Sequence, residues 1–416
     1  MKKKIGGLVI PLLFILPIAG FLTALFNIRS KSSAMVYVGF AMLFGYAISF
    51  LDSSADSYRY AQAFGRFDNT LDYNTIVQLY RSGELRDLYR VLLFYFSSFF
   101  SDNPKVMYAF AGLVYGIFSY LSLLIFVRER GNIWNQHVFV LTLVFYTYIS
   151  LSGINGFKFN TGFLVLFCAL YNFFIQKKKV WVIGILITPL FHYGFTLVVP
   201  LLLLYAFIHP KLYNSKGVKP VLFYMFIATF FASWFLKTNS INLSFFTQSD
   251  ALSGAVGSRL DFINSDRVTQ IVDSRKGNSL FLSVQTYFNY AIKIYIFISI
   301  LFLNKLLKRM KDNKKIEYTN FFAFILFFFS LSFIATSFPS GGRFLNLAFL
   351  FFVLYLVKFY CIYKNKKIRT LILYAIPVFS FNIAFTNFML PLLILTPTFW
   401  YGNIFWIIIE GLGFHI

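Results

Sequence analysis

Cysteine is almost absent from this chain, at 2 in 416 residues, and acidic residues are scarce, at 15 against 38 Lys and Arg. Cys168 and Cys361 each lie inside an apolar run. Two such residues build neither a disulfide framework nor a four-cysteine zinc site, so they read as buried core. Charged residues of both signs make up only 13%, against about 25% in soluble domains. That excludes an ordinary soluble enzyme. Also missing are a phosphate-cradling Walker loop, a GxGxxG turn after a strand, an HExxH pair and a serine nucleophile elbow. Alternating segments of roughly ten residues, the mark of a membrane β-barrel, do not occur either.

What is present is apolar length. Hydrophobic residues make up 58% of the chain, with 58 Phe alone. Runs of about 18 to 23 apolar residues recur, each able to cross a hydrocarbon core of roughly 30 Å. They fall near 5–27, 34–51, 105–127, 134–152, 161–176, 181–208, 219–236, 287–304, 318–337, 344–363, 370–390 and 391–409. Lipid offers backbone groups no partners, so these runs should be helices. The expectation is an all-α polytopic membrane protein of about 11–13 transmembrane helices, residues 1–416 forming a single transmembrane domain. The formal charge of +23 invites a nucleic-acid reading, which the position of the lysines argues against. They cluster in short loops between runs, the bias that orients membrane helices. The loops at 128–130, 177–179, 211–219, 305–315 and 364–369 are therefore expected to be cytoplasmic.

Two segments resist simple counting. Residues 181–208 lie between two basic loops, so they must cross an even number of times. Split at His192, each half is about 14 residues, or roughly 21 Å of helix, too short to span. A V-shaped pair of half-helices is expected, bent at Pro189 and Gly194 with His192 at the apex. Such irregular backbone is tolerated where it lines a cavity. The first run is also ambiguous. MKKK and the pair Arg29 and Lys31 fall on the same side only if Pro11 and Pro17 fold that run back. No small-residue cleavage site follows MKKK, so the run is kept as a span and not a removed signal.

Eleven of the 15 carboxylates gather in two polar stretches, 52–104 and 238–286. Both are expected outside the membrane on the face opposite the basic loops, the first with a surface helix over 86–100. With the short turns at 153–160 and 338–343, that face collects Asp52, Asp56, Arg59, Tyr60, Arg66, Arg81, Arg86, Arg90, Lys158, Arg259, Arg267, Arg275, Lys276 and Arg343. Arginine forks grip phosphate oxygens bidentately, so the set suits a diphosphate. The plainer reading pairs these arginines with the local aspartates or with lipid phosphates. Asp52 and Asp56 share a helix face and could hold a cation or supply a general base; equally, Asp52 could cap the next helix. His192, ionisable within an apolar run, is either a cavity group or a satisfied structural residue.

Three stretches taken together resemble the EpsG-like proteins, which belong with the Wzy-type polymerases of O-antigen and exopolysaccharide. SADSYRYAQAF (54–64) resembles their Asp-x-x-x-Tyr signature after an early span. GINGFKFNTGF (153–163), continuing to the Phe-His-Tyr at 191–193, resembles their central Asn-rich turn, paired spans and histidine. SGGRFLNLAFLFF (340–352) resembles their late arginine at the start of a span. Two departures stand out. The arginine usual before Asp-x-x-x-Tyr is absent, and the central turn carries Lys158 where arginine is usual.

The resemblance implies a GT-C-like membrane glycosyltransferase in the bacterial inner membrane, with its active site facing the periplasm. It would be a metal-independent, inverting enzyme without a cofactor. It would pass a growing glycan from undecaprenyl diphosphate to a lipid-linked acceptor repeat unit. The implied partners are those lipid-linked glycans and membrane lipid, with a chain-length regulator as a further candidate and no nucleic acid. In that reading Asp56 is the catalytic base, with His192 as second candidate. Arg59, Tyr60, Lys158, Arg259, Arg267 and Arg343 bind diphosphate and sugar, and no metal is held. An O-antigen ligase would share this chemistry with a different acceptor. A flippase or other polysaccharide transporter is the non-enzymatic alternative.

Overall fold

The computed structural model describes residues 2–51, 55–67, 87–214, 218–235, 280–310, 315–336 and 341–413, with Asn74 and Gln78. Asp52, Arg81, Arg86, Arg259, Arg267, Arg275 and Lys276, and all of 238–279, lie outside the described residues. Six helical stretches among the described residues are long and apolar enough to cross a membrane. The chain is therefore membrane-embedded and all-helical; its one β feature among those residues is an isolated bridge between Ile48 and Leu395.

The first apolar run does fold back. Helix α1 (Lys2–Ile15) stops at Leu16, whose extended backbone precedes Pro17, and α2 (Pro17–Phe26) returns against it. At about 1.5 Å per residue, neither arm reaches across a bilayer. Of the two readings that the sequence left open for this run, the fold back is the one observed. Helix α3 (Lys31–Tyr46) follows, leading to α4 (Asp56–Gly65) and the surface helix α5 (Leu88–Ser98). Helix α5 buries Val91, Leu93, Phe94 and Ser97 and exposes Leu92, Tyr95 and Phe96. That is the habit of a helix lying in the membrane interface.

Helix α6 (Pro104–Glu129) is the spine. In lipid, helices gain little from burying apolar surface against each other, so close backbone approach and hydrogen bonds decide. A Cβ added at Gly45 of α3 would lie 2.1 Å from the Tyr108 carbonyl oxygen, and one at Gly112 of α6 would lie 2.3 Å from that of Ala41. Ala41 and Gly45 on α3 thus face Gly112 and Gly116 on α6, a small-xxx-small contact on both partners. The Tyr37 hydroxyl meets Ser119 Oγ at 2.7 Å across the same seam.

The stretch Gln136–Ile175 is not one straight helix. Helix α7 (Gln136–Ile149) ends in a 3-10 turn, Leu151–Gly156, and α8 (Phe157–Leu170) runs back, finishing in a π turn to Ile175. Phe145 packs on both Phe126 and Phe167, so the two arms are antiparallel beside α6. A helix that stops inside the bundle leaves carbonyls unpaired. Here Ser119 Oγ donates to the Ile149 oxygen at 2.8 Å and Tyr115 to the Ser150 oxygen at 2.6 Å.

The expected V over 181–208 is present but lopsided. Its first arm is short and irregular, with α9 (Val182–Leu186) and α10 (Thr188–Phe191). His192 adopts extended backbone at the bend, and α11 (Phe195–Asn214) follows. At 20 residues α11 is about 30 Å long, not a half-helix of 14. The bend packs on α8 at Gly162, where a Cβ would lie 2.7 Å from the Phe195 ring and 2.8 Å from Phe191 Cβ.

The rest of the bundle is α12 (Val218–Phe235), α13 (Leu280–Arg309), α14 (Lys315–Ala335), α15 (Gly342–Ile362) and α16 (Lys366–Ala384). Phenylalanine rings fill the seams; Phe230 stacks on Phe297 at 4.3 Å. The last expected span, 391–409, is not a separate crossing. Helix α16 continues through a π turn and α17 (Leu390–Ile394) as one stretch, Lys366–Ile394. The chain then leaves the helix: the Ser49 amide donates to the Ile394 oxygen at 2.7 Å and the Thr396 amide to that of Ala47 at 3.0 Å. Only α18 (Thr398–Tyr401) and α19 (Ile404–Gly411) follow, both too short to span. Pro391 and Pro397 bracket this exit.

The bundle has two unlike ends. At the end where α6 finishes, Lys358 Nζ bridges Glu129 at 3.0 Å and Glu317 at 2.8 Å, and Tyr171 also bonds to Glu129. At the other end lie α4, α5, the 151–156 turn, the bend of the V and the start of α15.

Candidate functional site

The site begins with the Leu151–Gly156 turn. Asn155 Oδ1 accepts the Ser57 amide at 3.2 Å, satisfying a first-turn N–H of α4, and its carbonyl accepts Tyr108 Oη at 3.2 Å. This ties Asp56, the first residue of α4, to the turn. Asp56 Oδ1 accepts Arg59 Nη2 at 2.7 Å in an exposed i,i+3 pair, while Oδ2 lies over Gly156. A Cβ at Gly156 would sit 3.5 Å from that oxygen and 3.3 Å from Asn160 Nδ2. Glycine there keeps the approach to the carboxylate open.

In the first turn of α8, Lys158 points inward. Its ammonium meets Asp87 Oδ2 at 2.6 Å and lies 5.0 Å from the Tyr60 ring centroid. Asp87 occupies the N-cap position of α5 but makes no capping hydrogen bond. Its second oxygen instead accepts the Tyr193 amide at 2.9 Å. This one carboxylate therefore joins the surface helix, α8 and the bend of the V. Burial pushes the Asp87 carboxyl up. The charge of Lys158, with the hydrogen bonds from Lys158 and the Tyr193 amide, outweighs that and holds it below its ordinary 3.8. Burial pushes the Tyr60 phenol up and Asp56 and Asp87 add to it, so Tyr60 stays a neutral hydroxyl donor.

His192 stands at the bend, edge-on to Phe159 at 5.3 Å. Its Nδ1 accepts the Gly194 amide at 2.9 Å, which places the proton of the neutral ring on Nε2. In that tautomer the ring presents an Nε2–H donor at the bend. Arg343, exposed in the first turn of α15, lies 5.0 Å from the other side of this aromatic group, over Phe159. Among the described residues no carboxylate pairs with it. Arg90 on α5 packs over Phe94 at 6.0 Å and acts electrostatically on both Tyr60 and Lys158.

Of the residues singled out from sequence, Asp56, Arg59, Tyr60, Lys158, His192 and Arg343 all lie at this end and connect through Asp87, Phe157 and Phe159. Arg259 and Arg267 fall outside the described residues. Lys158, expected as a cation for a leaving group, is paired with Asp87 at 2.6 Å. Tyr60 was expected to offer its face to a sugar; it is half-buried against Phe157 at 4.9 Å and under the Lys158 ammonium. Asp87 and Asn155 were not expected. Asp87 reads in sequence as an ordinary N-cap before LYRVLL, and nothing local shows its side chain turned away. Among the described residues no three His, Cys, Asp or Glu converge as a metal site. Comparison with known proteins brings no relative to set beside this geometry: no family model, no curated protein and no solved structure matches the chain.

Proposed function

We propose that the chain is a membrane glycosyltransferase that polymerises lipid-diphosphate-linked oligosaccharide units. The observation that carries this reading is the convergence at one end of the bundle. Five stretches distant in sequence bring two carboxylates, an imidazole and several cations to the bend of a V-shaped segment. A diphosphate on a lipid carrier lies at the membrane surface, the level suited to the surface helix α5 that borders this group. Arg343 and Arg90, without carboxylate partners among the described residues, would take the diphosphate. Asp56, partly exposed beside a glycine, would take the proton.

In that reaction the acceptor hydroxyl oxygen attacks the anomeric carbon and forms the new glycosidic bond. The bond from that carbon to the diphosphate oxygen breaks, and its electron pair leaves with the diphosphate. The hydroxyl proton passes to Asp56 Oδ2, and the configuration inverts. The Asp87–Lys158 pair holds α5, α8 and the V in register and does not take part directly. His192 Nε2–H would donate to a sugar hydroxyl or a phosphate oxygen. The finer expectations belong to the same proposal: 11–13 crossings, GT-C-like architecture, and a bacterial inner membrane with this end facing the periplasm.

Purified protein in detergent, supplied with a lipid-diphosphate-linked repeat unit, tests the reading. A ladder of products that Asp56→Asn abolishes supports it. Transfer only to lipid A core points to ligation. No turnover, with substrate moved across proteoliposomes, points to transport and removes the enzymatic reading.

A further inference from the structure

At the end away from Asp56, helices α12, α13 and α14 line an open cavity of about 390 Å³. Lys219, Lys308 and Lys315 line it, and among the described residues no carboxylate does. Its walls are apolar and aromatic, with Phe223, Leu307, Phe322 and Leu326 among them. Tyr224 also lines it and is exposed, as is Val221 on the same helix.

The charges here are poorly placed for the helices themselves. Lys219 and Lys315 stand in the first turns of α12 and α14, where the macrodipole already contributes positive potential and disfavours a cation. Lys308, in the last turn of α13, is well placed for its own helix but adds to the same mouth. The first-turn carboxylate of α14, Glu317, could have offset this, yet it is bound to Lys358 at 2.8 Å. The Lys315 ammonium donates to the Lys308 carbonyl oxygen at 3.4 Å, and two helix N-termini and three ammonium groups converge with no carboxylate among the described lining residues. The orientation rule explains lysines at this end of the bundle. It does not explain their grouping around one apolar cavity.

We propose that this cavity binds an anionic phospholipid, with its phosphate between Lys219, Lys308 and Lys315 and its acyl chains along Phe223, Phe322 and Leu326. Basic recesses between membrane helices suit such headgroups, and exposed tyrosine suits the headgroup level. The lipid would bridge α12 to the hairpin of α13 and α14.

Native mass spectrometry of delipidated protein with dioleoyl phosphatidylglycerol or dioleoyl phosphatidylcholine tests the proposal without any need for turnover. Each lysine near an anionic lipid contributes roughly fivefold in affinity, so three give a preference of about a hundredfold for phosphatidylglycerol. The triple variant Lys219→Gln, Lys308→Gln, Lys315→Gln should lose that preference, and the triple Arg variant should keep it. If the triple Gln variant does not fold, Lys308→Gln alone should bind roughly fivefold more weakly at an unchanged melting temperature. Equal retention of the two lipids, or undiminished phosphatidylglycerol binding by the Gln variants, would overturn the proposal. Full competition by millimolar inorganic phosphate would also overturn it, since a simple anion site would then suffice.

Discussion

Breaking the Asp87–Lys158 pair separates a register device from a substrate clamp. The two side chains are 9% and 12% exposed, and their atoms meet at 2.6 Å. Lys158→Met leaves a buried carboxylate with only the Tyr193 amide. Removing one partner of a buried pair costs about 3–5 kcal/mol, whereas replacing both is near neutral. Asp87→Asn keeps an oxygen for the Tyr193 amide and should sit at the low end of that range. We expect the two single variants together to lose about 6 kcal/mol or more, and the double variant Asp87→Asn/Lys158→Met about 1 kcal/mol or less. Equilibrium unfolding in mixed detergent micelles gives these values, and activity per folded molecule is read alongside. In this account activity follows the folded fraction and partly returns in the double variant. If each single variant stays within about 0.5 kcal/mol of wild type while turnover falls a hundredfold or more, Lys158 holds the substrate and the register argument fails.

Three other outcomes are expected. Arg343→Ala should lower turnover by about two to three orders of magnitude with unchanged stability, and Arg343→Lys should recover only part because the fork is gone; near-normal turnover would take Arg343 out of the site. His192→Asn can still accept the Gly194 amide, so it should keep the bend and the melting temperature while losing the Nε2–H donor; full activity in that variant would make His192 purely structural. Asp87 is held below its ordinary 3.8, so the stability it contributes is complete above about pH 4 and fades only as pH falls further, through the depressed folded value. The melting difference between wild type and Asp87→Asn should accordingly be flat from pH 5 to 8 and shrink below pH 4, and a slope near neutrality would contradict this.

Much of the fold was legible because lipid leaves the backbone few choices. Apolar length located α3, α6, α14 and α15, and lysine placement pointed to the V at His192, while it left the first run open between a crossing and a fold back at Pro11 and Pro17. The misses have physical causes. Hydropathy cannot distinguish one long helix with a π turn from two spans, so the stretch to Ile394 and the short helices after it were read as two crossings. The second arm of the V continues past the apolar run to Asn214, where polar residues still extend the helix. The small-residue pairs Ala41/Gly45 and Gly112/Gly116 were visible but match many harmless spacings; only the close backbone approach gives them meaning. At the site, residue types pointed to Asp56, His192 and Arg343. They could not show that Asp87, by position a helix cap, turns its carboxylate to Lys158 and the bend instead.

The central claim is that a lipid-borne diphosphate binds at the bend of the V, under Arg343 and Arg90. A density map of the Asp56→Asn variant, saturated with a polyprenyl-diphosphate-linked oligosaccharide in a lipid nanodisc, addresses it directly. The account predicts paired phosphorus density within salt-bridge reach of Arg343, its sugar towards residue 56, and Lys158 still on Asp87. Diphosphate density among Lys219, Lys308 and Lys315 at the other end, with the bend region unoccupied, would contradict it.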